Sequence, residues 1–163
     1  MKSIITVVTL IAAFSITGCT KGGKLERISS SQYTISAAAS SRQLVPAIDT
    51  SFAGTFTGFY DEQANILTFT ITWTDLWEAA GQDTITSVNF YGPAGTTANG
   101  ALVRSLPFVN TNSAATANLG LAGLNGFKMS EKQDLLAGAY YFTINTKKYP
   151  NGIIRGQLAA VKQ

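Results

Sequence analysis

Residues 67–74 alternate without a break. Leu67, Phe69, Ile71 and Trp73 are large and apolar, and Thr68, Thr70, Thr72 and Thr74 stand between them. A period of two with β-branched partners fits a strand that buries one face and wets the other. A helix would scatter the same side chains around its axis. The preceding run behaves alike: Phe52, Gly54, Phe56, Gly58 and Tyr60 share one face, with Thr55 and Thr57 on the other. Residues 61–65 read as a turn between them. The pair therefore predicts a hairpin with one apolar face and one Thr-rich face.

The rest of the chain repeats the theme less regularly. Strands are expected at residues 84–91, 101–109, 139–146 and 152–161, with a weaker one at 114–121. Pro107 marks an edge or a strand end, because it cannot donate to a ladder. Ser130-Glu131-Lys132-Gln133 has the form of a capping box opening a short helix that Gly138 closes. Asn151-Gly152 is a tight-turn dipeptide. The chain has 163 residues, enough for one ordinary domain, and 45% are hydrophobic, enough for a real core. The expected fold is all-β, an immunoglobulin-like antiparallel β-sandwich of 7–8 strands with one short helix.

The N-terminus reads as an address. Lys2 precedes an apolar run over residues 4–16, too short to span a bilayer. Ile16-Thr17-Gly18-Cys19 follows and resembles a lipobox, with small residues beside the cut and one thiol free for a diacylglycerol. Residues 1–18 are read as a signal peptide, with cleavage between Gly18 and Cys19 and lipidation, including palmitate, on Cys19. Residues 19–41 are read as a lipidated Cys and flexible tether, although the stretch after Gln32 could pair as a first edge strand. Residues 42–163 are read as the domain. The expected location is the bacterial cell envelope, anchored in the outer membrane through acyl chains.

Four segments, in order, carry a family resemblance. They are the hairpin at residues 51–73, Gly92-Pro93-Ala94, Leu135-Leu136-Ala137-Gly138, and the closing Pro150-Asn151-Gly152-Ile153-Ile154-Arg155-Gly156-Gln157-Leu158. Together they resemble the CHRD, or chordin-type, domain over about residues 44–158. The resemblance implies a β-sandwich of immunoglobulin-like character, an extracytoplasmic life and no established catalytic activity. It also exposes a departure. The family often carries His at places where this chain has Asn89, Tyr91, Asn145 and Tyr149.

The chain has no His at all. That removes imidazole acid–base work, His-dependent nucleophiles and His metal ligands. Asn89, Tyr91, Asn145, Tyr149 and Trp77 form the candidate ligand patch, reading as hydrogen-bonding and stacking groups for a glycan or peptide. The alternative is that Asn and Tyr simply satisfy nearby backbone and that Trp77 plugs one end of the sandwich. Arg155 reads either as an anion contact or, as expected here, as a structural Arg, half buried and paired with a carboxylate or carbonyls. Asp75, Glu78 and Asp83 lie in one loop, where turn solvation explains them. No catalytic residue, metal site or cofactor is expected.

The formal charge is +3, but residues 42–158 hold seven Lys+Arg against eight Asp+Glu, a net of −1. The basic excess lies in the N-terminal segments and the tail, which speaks against a nucleic-acid partner. The expected partners are the membrane, through the acyl anchor, and an envelope protein or glycan. The expected function is a non-catalytic binding or scaffolding module. The alternatives are an envelope carbohydrate-active or metal-dependent enzyme and a structural surface subunit.

Overall fold

The computed structural model describes residues 31–74, 76, 83–110, 116–118 and 122–163. Gly18, Cys19, Asp75, Trp77, Glu78 and the first part of the tether lie outside the described residues. The described chain forms ten strand segments: β1 (Gln32–Ser40), β2 (Ala53–Asp61), β3 (Ile66–Thr74), β4 (Ile85–Gly92), β5 (Ala101–Asn110), β6 (Thr116–Asn118), β7 (Ala122–Asn125), β8 (Tyr141–Thr146), β9 (Ile154–Gln157) and β10 (Ala159–Lys162). One α-helix, α1 (Met129–Leu136), precedes β8, and a single 3-10 turn (Ser41–Gln43) follows β1. The fold is all-β, as expected, and its strand pairs are antiparallel.

The sheet runs β5-β4-β8-β9-β1-β2-β3-β6, with β10 also on β1 and β7 also on β3. The ten segments thus fill eight positions of one curled sheet. The continuity comes from the last strand. Its first part, β9, pairs with β8, and its second part, β10, pairs with β1. Leu158 marks the break, its N–H donating to Tyr140 O at 2.8 Å.

The predicted hairpin is present. β2 and β3 pair in register from Ala53↔Thr74 to Asp61↔Ile66. Phe56, Tyr60, Leu67, Phe69, Ile71 and Trp73 are buried, while Thr55, Thr57, Thr72 and Thr74 are exposed. Asn65 closes the turn at φ 54° and donates to Phe127 O at 2.8 Å. β5 is the sheet edge, which explains how Pro107 is tolerated there. In β4 a register shift between Ile85 and Ser87 lets both Ile85 and Val88 face the core, three residues apart.

The curl brings aromatic rings from both halves together. Phe56 lies 4.9 Å from Phe69 and 5.4 Å from Phe142, and Phe69 lies 5.3 Å from Phe90. Burying such a ring contributes roughly 1.5–3 kcal/mol, so this cluster binds β2, β3, β4 and β8 into one core. Helix α1 is fastened at its first turn. Glu131 accepts from Lys128 N–H at 3.0 Å and pairs with Arg104 of β5 at 2.7 Å, and Lys132 pairs with Glu62. The helix therefore begins one residue before Ser130, with Lys128 as its N-cap. Gly138 closes it at φ +74°.

The tether boundary moves. β1 lies within the stretch read as tether, yet its Ile35 and Ala39 are core residues. It is an inner strand, paired with β2 on one side and with β9 and β10 on the other. The folded unit therefore includes residues 32–41. Small side chains are required here, since a Cβ on Gly156 would meet Ala39 Cβ at 3.0 Å. No helix among the described residues is long and apolar enough to cross a membrane.

Candidate functional site

The core takes one face of β4, β8 and β9. Alternation sends the other set outward: Asn89 and Tyr91 from β4, Tyr141, Thr143 and Asn145 from β8, and Arg155 and Gln157 from β9. Asn89, Thr143 and Arg155 share one cross-strand row, and Tyr91, Tyr141 and Gln157 the next. An outward face would ordinarily be wet. Here all six residues of β8 are buried, because loop segments cover them.

The segment over residues 93–100 is the main cover, and Arg155 holds it. The guanidinium donates to Gly95 O at 2.7 Å and Ala98 O at 3.0 Å. It also donates to Gln157 Oε1 at 3.2 Å and, more loosely, to Asn99 Oδ1 at 3.4 Å. Gln157 adds bonds to Ala94 O and Gly138 O. Gly100 N–H donates to the Tyr141 hydroxyl at 3.1 Å. Asn99 Nδ2 reaches Val45 O at 2.8 Å and joins this cover to the segment after β1.

Arg155 is 1% exposed, buried further than the half expected, and its partners are carbonyl oxygens. Among the described residues no carboxylate pairs with it. Its guanidinium carbon lies 3.6 Å from the centroid of the Tyr141 ring, and that ring stacks on Tyr91 at 5.2 Å and 11°. Strand order puts Tyr91 and Arg155 on opposite sides of Tyr141. Burial pushes the guanidinium's pKa down, while the nearby Tyr141 pushes it up. An Arg starting this high remains the cation at neutral pH.

An open cleft of about 380 Å³ lies between this cover and the segment after β1. Tyr91, Tyr141, Thr143 and Arg155 line its inner side, Leu44, Val45 and Pro46 one wall, and Asn99, Gly100 and Asn151 the rest. A second recess of about 260 Å³ lies beyond the 44–46 segment, lined also by Lys148, Tyr149 and Pro150. Neither lining contains a carboxylate or a thiol.

The four patch residues in the described chain share a neighbourhood but not a surface. Tyr91 lines the larger cleft and Tyr149 the smaller one. Asn89 lies outside both and bridges two hydroxyls, donating to Tyr91 Oη at 3.2 Å and accepting from Ser105 Oγ at 2.7 Å. Asn145 is 2% exposed and structural. It accepts from Thr143 Oγ1 at 2.5 Å and donates to Pro150 O at 2.6 Å, so it fixes the loop between β8 and β9. Sequence reasoning missed Tyr141, Thr143, Asn99 and Asn151. Only the alternation of residues 139–146 could have signalled that Tyr141 and Thr143 share the face of Asn145.

The described carboxylates have other work. Asp83 Oδ1 accepts the N–H groups of Thr84 and Lys148 and ties two loops together. Asp61 caps its turn through Ala64 N–H, and Asp49 pairs with Arg42. Among the described residues no three His, Cys, Asp or Glu side chains gather as a metal site would require.

The curled antiparallel sheet with a strapped cleft on its outer face defines an extended all-β domain built around residues 32–163. The family model of the CHRD domain matches residues 35–158. The chain belongs to the CHRD domain family. The match begins inside β1, which independently moves the domain edge ahead of residue 42. Searches of curated proteins and of solved structures gave no match.

Proposed function

We propose that this protein is a lipid-anchored, non-catalytic binding module of the bacterial cell envelope, and that the cleft beside Arg155 takes its ligand. The cleft carries this reading. It is an open concavity with stacked aromatics, amides and a buried cation, and its lining holds no carboxylate or thiol. The lipobox ending at Cys19 supports the anchor, and the placement of the cleft fits it. The described chain enters β1 at Gln32, and the cleft wall begins at Leu44, just past the far end of that strand. Nine residues at roughly 3.3 Å each put the cleft about 30 Å from the point of entry.

Both parts are testable in the full chain. Mass spectrometry of the membrane fraction should find Cys19 acylated, and an unmodified thiol would remove the anchor. A photo-crosslinking side chain at Asn99, beside the cleft, should capture an envelope component in cells. The same group at Thr72, on the Thr-rich face, should not. Equal capture at both positions, or none at Asn99, would overturn the binding site.

A further inference from the structure

We propose that the cleft selects a small carboxylate with a ring-shaped body, such as a uronic acid. This deepens the binding reading above and rests on it. The first reason is charge. Arg155 is buried among the cleft residues with no carboxylate partner among the described residues, and the cleft lining contains no Asp or Glu. A cation in low-dielectric surroundings that lacks a counter-ion attracts an anion more strongly than an exposed one does.

The second reason is geometry. Three of the four guanidinium bonds lie between 2.7 and 3.2 Å; two of them, to Gly95 O and Ala98 O, hold the cover in place, and the third stays within β9 on Gln157. The fourth, to Asn99 Oδ1, is long at 3.4 Å. It is the one that a ligand carboxylate can take over without detaching the cover. Asn151, also in the lining, brings an amide that can donate.

The third reason is shape. The cleft offers apolar and aromatic surface beside the cation: Leu44, Val45 and Pro46 on one wall and Tyr91 on the inner side. About 380 Å³ accommodates a ring with its substituents. A single negative charge balances a single guanidinium. A dianionic phosphate would overbalance it and would leave the apolar 44–46 wall unused.

The test uses the full-length protein in detergent, with D-glucuronate as the probe and D-glucose and inorganic phosphate at matched ionic strength as controls. Ligand-observed NMR should show saturable glucuronate binding below about 20 mM, at least about tenfold tighter than either control. Asn99→Asp places a carboxylate beside Arg155 and should weaken glucuronate about tenfold or more while the melting temperature holds or rises. If that variant melts lower, Asn151→Asp, at an exposed turn position, provides the same internal competitor. Glucose or phosphate binding as well as glucuronate, no glucuronate binding, or unchanged affinity in a folded Asp variant would overturn the proposal. Crosslinking at Asn99 separates the two readings. If it persists without glucuronate binding, the module stands and the carboxylate falls; if it is absent, both fall.

Discussion

Replacing Arg155 asks what the buried cation contributes to the fold. Arg155→Met keeps the length of the apolar stem and removes the charge. Four hydrogen bonds disappear, of a kind that contributes about 1.5–3 kcal/mol each when the donor is charged and the partners are buried. Water recovers much of that, since Gly95, Ala98 and Asn99 are exposed residues and their oxygens can be rehydrated. A net of about 1 kcal/mol per bond remains, and the contact with the Tyr141 ring adds about 1 more. Against this, Met no longer bears the cost of desolvating a guanidinium, which returns about 2 kcal/mol. The expected net loss is about 3 kcal/mol, or roughly 10 °C in melting temperature. Arg155→Lys should lose at least as much. It keeps the desolvated charge but has no planar fork to reach Gly95 O and Ala98 O together. Denaturant unfolding of both variants measures the loss. Hydrogen exchange at Gly100 N–H, which should quicken, reports whether the cover loosened. Losses below about 0.5 kcal/mol in both variants would refute the strap. So would a near wild-type Lys variant beside a crippled Met variant, because charge alone would then be holding the loop.

Three further outcomes follow from the packing and the titrating groups. Gly92→Ala should destabilise by about 1–3 kcal/mol, because the new Cβ would sit 2.3 Å from Tyr140 Cδ1 and 3.0 Å from Ala139 O; thermal unfolding checks this, and a neutral result would mean that Tyr140 moves freely. The bond from Arg104, with that from Lys128 N–H, holds the Glu131 carboxyl below its ordinary 4.5. Its contribution is therefore complete above that pH and is lost as pH falls through the depressed value. Glu131→Gln should be about 1 kcal/mol less stable at neutral pH, with the gap closing as pH falls below the ordinary carboxyl range; a gap independent of pH would contradict the ion pair. Burial raises Tyr140 to about 12, with the nearby acids Glu131 and Asp134 adding to the shift. Because the unfolded chain ionises nearer 10, stability should fall as pH rises from about 10 to 12, and Tyr140→Phe should remove that component of the alkaline loss, measured by denaturant titration across the range.

Strands whose two faces differ in chemistry were legible. β2 and β3 carry rings inward and threonines outward, so a simple alternation places every residue. Pro107 likewise marked the sheet edge, since the missing N–H is a local property. β1 was illegible as an inner strand for the opposite reason. Its Ala and Ser side chains are small because β9 approaches closely, and that crowding comes from residues more than a hundred positions away. Short segments also escaped notice. β7 has four residues, and β9 and β10 read as one strand because the switch of partners at Leu158 leaves no local mark. The site was half visible. Family resemblance brought Asn89, Tyr91, Asn145 and Tyr149 to one region, but whether each faces a cleft or a neighbour depends on loops. Arg155 meets Gly95 and Ala98 across 60 and 57 residues, a contact that no periodicity encodes.

The arrangement of the sheet also decides how the ends of the domain differ. Gln163 N–H donates to Gln32 O, so the described chain begins and ends at one end of β1. Glu62, Lys132 and α1 gather there, held by an ion pair and a helix cap. At the other end of β1 the chain turns at Ser41, whose hydroxyl donates to Thr50 O at 2.8 Å, and runs directly into the cleft wall. That wall is then tied to the cover of β8 through Asn99, and the cover to β9 through Arg155. The cleft is thus built from segments converging on the end away from the chain's entry, and each is fastened to a different strand. A ligand bound there bridges loops without touching the core. It should order the cover segment more than it shifts the sheet, because the β2–β3 hairpin and its ring cluster share no residue with the cleft.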